Sequence, residues 1–138
     1  MKLDHIGYVV GKIEKELPFF VSLMKPVEVS EIQPVVAEQV RVVFLILENG
    51  ARIEWVEPAG ETSPVSRTAQ KGVRGVHHLC YEVLDLESET RRLRALGCVP
   101  LGGPKYSEAL CGKTVFFGTP MEHLIELVQR KNVVNGST

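Results

Sequence analysis

No apolar run in this chain approaches the roughly 20 residues that a membrane span requires. Nor does Met1-Lys2-Leu3 open a signal-peptide core, because it leads straight into strand-like sequence. These two absences lead to the expectation of a cytoplasmic protein with no membrane partner. An excess of charge is missing too: 16 basic and 17 acidic residues leave a formal net charge of −1, which gives no electrostatic footprint for nucleic acid. Cys80, Cys98 and Cys111 are odd in number and show no Cys-x-x-Cys spacing. That argues against a disulfide framework and a thiolate zinc site, and the three read as free thiols. Linker composition is confined to one stretch, 58–75, with Pro-Ala-Gly, Ser-Pro and further glycines. With 44% apolar residues, the 138-residue chain has enough apolar sequence for a sizeable core, and small molecules are its expected partners.

What the chain does contain is a repeat. Leu3-Asp4-His5-Ile6-Gly7-Tyr8-Val9-Val10 reads nearly the same as Val76-His77-His78-Leu79-Cys80-Tyr81-Glu82-Val83, with His5 on His78 and Tyr8 on Tyr81. A second pair, Arg52-Ile53-Glu54-Trp55-Val56-Glu57-Pro58 and His123-Leu124-Ile125-Glu126-Leu127-Val128-Gln129, sets Glu54 on Glu126 at an offset one residue shorter. Each half begins with a strand carrying His and ends with one carrying Glu. Residues 1–138 therefore read as a single domain: module one 3–57, linker 58–75, module two 76–129 and a polar tail 130–138.

Period-2 alternation predicts a strand over 3–10, and helical spacing of Ile13, Leu17, Phe20, Val21 and Met24 predicts a helix over 12–24. Pro18 must kink that helix or sit in its first turn. Lys25–Gln33 reads as a strand broken by Gln33-Pro34. Val40–Leu47 and Arg52–Glu57 form a hairpin about Asn49-Gly50, where a type I′ turn is expected. Ser63 caps a short helix starting at Pro64 and stopping at Gly72. In the second half Asp85 caps a helix with Leu86, Thr90, Leu93 and Leu96 facing the core and Gly97 as its stop. Strands follow at 98–101, 113–117 and 122–129. Arg91, Arg92 and Arg94 read as the solvated face of the helix. Each half thus runs β-α-β-β-β, which buries one sheet face under a helix and leaves the other concave.

Two His and two Glu at equivalent places make a four-donor set of nitrogen and oxygen, which suits a divalent first-row metal better than calcium or magnesium. Strand alternation gives His78, not His77, to the face of His5, and Glu54, not Glu57, to the face of Glu126. His77 and Glu57 are accordingly expected to be dispensable as ligands. Such a centre polarises a carbonyl while a carboxylate removes the adjacent C–H proton. Glu126 is the preferred catalytic base and Glu54 its counterpart on the opposite side.

Over about residues 3 to 129, through LDHIGYVV, IEWVEP, SPVSRTAQKGVRGVHHLCYEV and HLIELVQ, the sequence resembles the vicinal oxygen chelate superfamily. That superfamily includes glyoxalase I, extradiol dioxygenases, methylmalonyl-CoA epimerase and the bleomycin resistance proteins. The resemblance implies an α+β fold of two tandem βαβββ modules forming a curved mixed sheet around a central metal site. The residues matching its metal positions are His5, Glu54, His78 and Glu126, for one divalent ion such as Co, Ni, Zn or Mn. Ser63-Pro64-Val65-Ser66 leading into Gly75-Val76-His77-His78-Leu79, and the Ala37-Glu38-Gln39 approach to 40–47, are most similar to the methylmalonyl-CoA epimerase branch. The implied function is a metal-dependent epimerase or isomerase abstracting a proton α to a carbonyl, with an acyl-CoA substrate. The alternatives are lactoylglutathione lyase chemistry on a glutathione hemithioacetal and non-catalytic drug binding of the bleomycin-resistance type. Strand 40–47 departs from the pattern in offering no carboxylate as a second, non-ligand base. Sheet edges that need cover add the expectation of a homodimer.

Overall fold

The computed structural model describes residues 1–71 and 74–131, so most of the expected tail and the helix stop at Gly72 lie outside the described residues. Lys2–Val9 (β1) and Gly75–Glu82 (β6) are where the two halves meet, as an antiparallel pair with His5 opposite Cys80, Ile6 opposite Leu79 and Gly7 opposite His78. The repeat alignment exchanges the members of these pairs, so a pseudo-twofold axis passes through Ile6 and Leu79. Each central strand then pairs in parallel with the last strand of its own half, β1 with Arg52–Pro58 (β5) and β6 with Leu124–Arg130 (β10). Those pair antiparallel with Val40–Ile46 (β4) and Gly112–Gly118 (β9).

The second strand of each half is split: Glu28–Val29 (β2) and Gln33–Val35 (β3) both lie on β4, while Val99–Pro100 (β7) and Lys105–Ser107 (β8) both lie on β9. Among the described residues the result is one mixed sheet of ten strands in an α+β fold. The expected single strand over Lys25–Gln33 is therefore corrected to two short ones. Pro34, expected to break the strand, sits inside β3 opposite Arg41, which an edge strand tolerates because its outward N–H needs no partner.

Two helices cover the outer face. Ile13–Met24 (α1) packs Ile13, Leu17 and Phe20 on Val43, Leu45 and Trp55, and Leu86–Ala95 (α3) packs Leu86 and Leu93 on Val115, Phe117 and Leu127. Pro18 lies well inside α1, so the helix does without one backbone donor there. Asp85 caps α3 as expected, its carboxylate accepting from the N–H groups of Glu87 and Ser88. Leu96 does not face the core: the helix has ended at Ala95, Gly97 turns the chain at φ 91°, and Leu96 is left 61% exposed. The loop after β4 also differs from expectation. Among its residues only Gly50 takes positive φ, its N–H bonds to Leu47 O at 2.9 Å, and Leu47 N–H bonds to Ala51 O at 2.8 Å. That is a three-residue loop closed by a left-handed glycine, not a type I′ turn.

On the inner face Val42, Phe44 and Val56 of one half meet Cys80, Phe116 and Val128 of the other. Pro64–Gln70 (α2), with Ser63 Oγ accepting from Ser66 N–H, closes one end of this cluster through Val65. Among the described residues no helix is long and apolar enough to cross a membrane.

Candidate metal centre

His5 on β1 and Glu54 on β5 lie in one parallel pair, His78 on β6 and Glu126 on β10 in its symmetry mate, and all four side chains are buried. Their tips converge across the seam. His5 Nε2 stands 3.4 Å from His78 Nε2, 3.5 Å from Glu54 Oε1 and 3.4 Å from Glu126 Oε1, and His78 Nε2 lies 3.4 Å from both carboxylates. Each imidazole is held edge-on by a phenylalanine of the neighbouring hairpin, Phe44 at 5.4 Å from His5 and Phe116 at 5.1 Å from His78. Glycine at position 7 makes room for one of these rings, since a Cβ there would lie 2.1 Å from His78 Cε1.

Burial opposes the charged forms of all four groups, yet each is overruled by its neighbours. Glu54 and Asp4 hold the His5 pKa above its ordinary value, and the nearby carboxylates of Glu126 and Glu54 do the same for His78. The imidazoles in turn hold the carboxyls of Glu54 and Glu126 below the usual range. Asp4 supports His5 from behind: its Oδ2 accepts from His5 Nδ1 at 2.7 Å, and Arg130 holds its other oxygen at 2.6 Å. Against the pull of burial, His5 and Arg130 keep the Asp4 carboxyl well below the usual range. Cys80 also approaches His5 and Asp4. With Arg130 and Arg52 on the Asp4 carboxylate, that trio acts as support for the imidazole.

The donor set passes two tests for a divalent ion. Donors bound to one ion at about 2.0–2.2 Å stand roughly 3–3.5 Å apart when adjacent, which is the spacing of the two imidazole nitrogens from each other and from both carboxylates. Glu126 Oε1, moreover, is buried with no hydrogen-bond partner, and a buried carboxylate oxygen left in that condition is costly unless a cation satisfies it. His77 and Glu57 stay out of the cluster, as alternation predicts. Glu57 instead accepts from Ile13 N–H at 3.0 Å and Arg41 at 2.8 Å, tying the first turn of α1 to β5.

One cavity residue escapes the sequence reading. Glu38, in a one-turn 3-10 helix over Val36–Glu38, lines a cavity of about 20 Å³ together with Val42, Glu54, His78, Phe116 and Glu126. Burial, more than the nearby charge of Glu126, pushes its carboxyl pKa up. The strand at 40–47 indeed lacks a carboxylate, but Gln39, at φ 55°, turns the chain so that the acid just before the strand faces inward. The signal was the acid in Ala37-Glu38-Gln39, outside the span where alternation can be counted. Larger clefts, about 760 Å³ beside α3 and about 610 Å³ near Tyr106 and Arg130, are lined by none of the four donors.

Residues 4–117 match the family model of the Glyoxalase/Bleomycin resistance protein/Dioxygenase superfamily. The ethylmalonyl-CoA/methylmalonyl-CoA epimerase of Cereibacter sphaeroides is 32% identical over 132 residues, covering 93% of this chain and 97% of that protein. The mitochondrial methylmalonyl-CoA epimerase of Dictyostelium discoideum is 29% identical over 133 residues, covering 94% and 78%. In fold, the structure is similar to methylmalonyl-CoA epimerase from Mycobacterium tuberculosis, with a TM-score of 0.78 at 23% identity over 94% of this chain and 87% of that one.

Proposed function

This chain belongs to the glyoxalase/bleomycin resistance protein/dioxygenase superfamily, and from that premise we propose that it is a divalent-metal-dependent epimerase acting on the carbon α to a thioester carbonyl, of the methylmalonyl-CoA class. The observation that carries the reading is the convergence across the seam of the His5 and His78 Nε2 atoms, each within 3.5 Å of the other and of both Glu54 and Glu126. These four would hold the ion, with Co, Ni, Zn and Mn as candidates. When bound, a divalent ion polarises a carbonyl and stabilises the negative charge that develops as the α proton leaves. The apolar walls, Val42, Val56 and Phe116 among them, keep water from that charge.

Glu126 takes the proton from one face. A second group must then hold a proton and deliver it to the other face. Glu54, which symmetry alone pairs with Glu126, is suited to a ligand's role by its depressed pKa. Glu38 lines the same cavity outside the donor set with a raised pKa, and it is the acid we assign to the returning side. A cavity of about 20 Å³ holds little more than one water. Admitting an acyl group therefore requires the wall to yield. A homodimer that covers the short edge strands, and a cytoplasmic location, belong to the same proposal.

The test is exchange in heavy water. Metal-loaded protein should place solvent deuterium at the α carbon of methylmalonyl-CoA, and Glu126→Gln should lower that rate by about 10²–10⁴-fold. Conversion of a methylglyoxal–glutathione hemithioacetal with methylmalonyl-CoA left untouched would move the reading to glyoxalase chemistry. Inertness toward both, and toward related 2-substituted acyl-CoA thioesters, would leave drug binding.

A further inference from the structure

Behind His78 the hydrogen bonds continue away from the donor cluster. His78 Nδ1 lies 2.8 Å from Nδ1 of His77, and His77 Nε2 lies 2.8 Å from Thr68 Oγ1 on α2. Thr68 Oγ1 in turn reaches the carbonyl oxygens of Val65 at 2.9 Å and Pro64 at 3.1 Å. The direction of every proton in this row follows from its far end. Carbonyl oxygens only accept, so the Thr68 hydroxyl donates to them and its lone pairs are what it offers His77. His77 Nε2 must then carry the hydrogen, and a neutral imidazole with hydrogen on Nε2 has its lone pair on Nδ1. His78 Nδ1 must supply the hydrogen for that contact. Its Nε2 is left as the nitrogen that faces Glu54, Glu126 and His5.

We infer that His77 is a positioning residue: together with Thr68 it locks His78 in the Nδ1–H form and fixes the plane of its ring, so that Nε2 is presented to a divalent cation. The inference rests on the metal-centre reading above and extends it to two side chains outside the four donors. His5 receives the same service from Asp4, one residue before it. At the corresponding place in the second half stands His77, a neutral group that works only because α2 supplies an anchor. Outer partners of this kind change metal affinity by about 10–100-fold when removed.

The test uses Co²⁺ as probe and the full chain, with affinity measured by chelator competition and the visible spectrum recorded for the bound ion. His77→Ala should weaken Co²⁺ binding by about 10–100-fold and shift the spectrum. Thr68→Val, which leaves both histidines in place, should move both readouts in the same direction by less. In His77→Asn the amide oxygen can still accept from His78 Nδ1–H, and binding should return to within a few-fold of wild type. Melting curves of the metal-free variants report folding separately. If wild type binds Co²⁺ and His77→Ala binds it equally well with the same spectrum, the positioning role is overturned while the metal centre stands. Asn no better than Ala also overturns it. Wild type that takes up no Co²⁺ overturns the metal-centre reading itself.

Discussion

Glu57 lies three residues beyond Glu54 on the same strand, yet its work is mechanical: it accepts the first N–H of α1 and pairs with Arg41. Hydrogen bonds to charged groups contribute about 1.5–3 kcal/mol. Glu57→Ala should therefore lower unfolding free energy by about that much in a urea titration, with metal content unchanged; loss of metal without loss of stability would reverse the two roles. Glu38 should behave in the opposite sense. Its folded pKa is raised, so its protonated form favours the native state. That contribution is whole below the unfolded value, near about 4.3, and is lost as pH rises through the folded value. Glu38→Gln should accordingly melt with wild type near pH 4 and above it at pH 8, while exchange activity falls. A constant gap across that range would mean that Glu38 is not strained by burial. His5, Glu54, His78 and Glu126 were legible in the sequence because each has a counterpart one repeat away. Glu38 was not, because its neighbour Gln39 leaves the strand conformation on which face counting depends.

At the scale of elements, the central pairing explains a glycine. β1 and β6 cross with Gly7 opposite His78, so the imidazole lies on bare backbone. Gly7→Ala would put a methyl group into that ring, and the strands cannot separate without breaking the ladder. Metal affinity should fall by tenfold or more for the positioning reason given above, with a loss of stability of about 1–3 kcal/mol from overpacking; tight metal binding by the alanine variant would show that the ring has another place to go. Strands and helices with long periodic patterns, such as α1 and β4, were readable because burial on one face repeats in the sequence. The short pieces were not. The two residues of β2 and the three of β8 are set by their partners on β4 and β9, and the loop at Glu48–Gly50 takes its shape from the left-handed Gly50, which the Asn-Gly pair alone does not distinguish from a type I′ turn.

For the whole molecule, the donors are divided evenly, His5 and Glu54 from one half and His78 and Glu126 from the other. A bound ion would therefore tie the halves together more strongly than it stiffens either. At a free metal concentration one hundred times Kd, the native state gains about 2.7 kcal/mol. Chelation should then lower the melting temperature by roughly 10 °C, in a single transition that remains single. Two separate transitions after metal removal would mean that the halves hold together only through the ion.

The antiparallel seam also sets an order of events in time. Each half can build its own parallel pair and outer helix from contacts within that half, but the two histidines meet across a sequence separation of 73 residues. Contacts so distant carry the largest loop-closure cost and form late. The four donors are then apart for most of the refolding reaction and together only after its rate-limiting barrier. An ion that recognises the finished constellation stabilises the native state without stabilising the barrier, so metal in a stopped-flow experiment should leave the refolding rate nearly unchanged and slow unfolding by most of the binding energy.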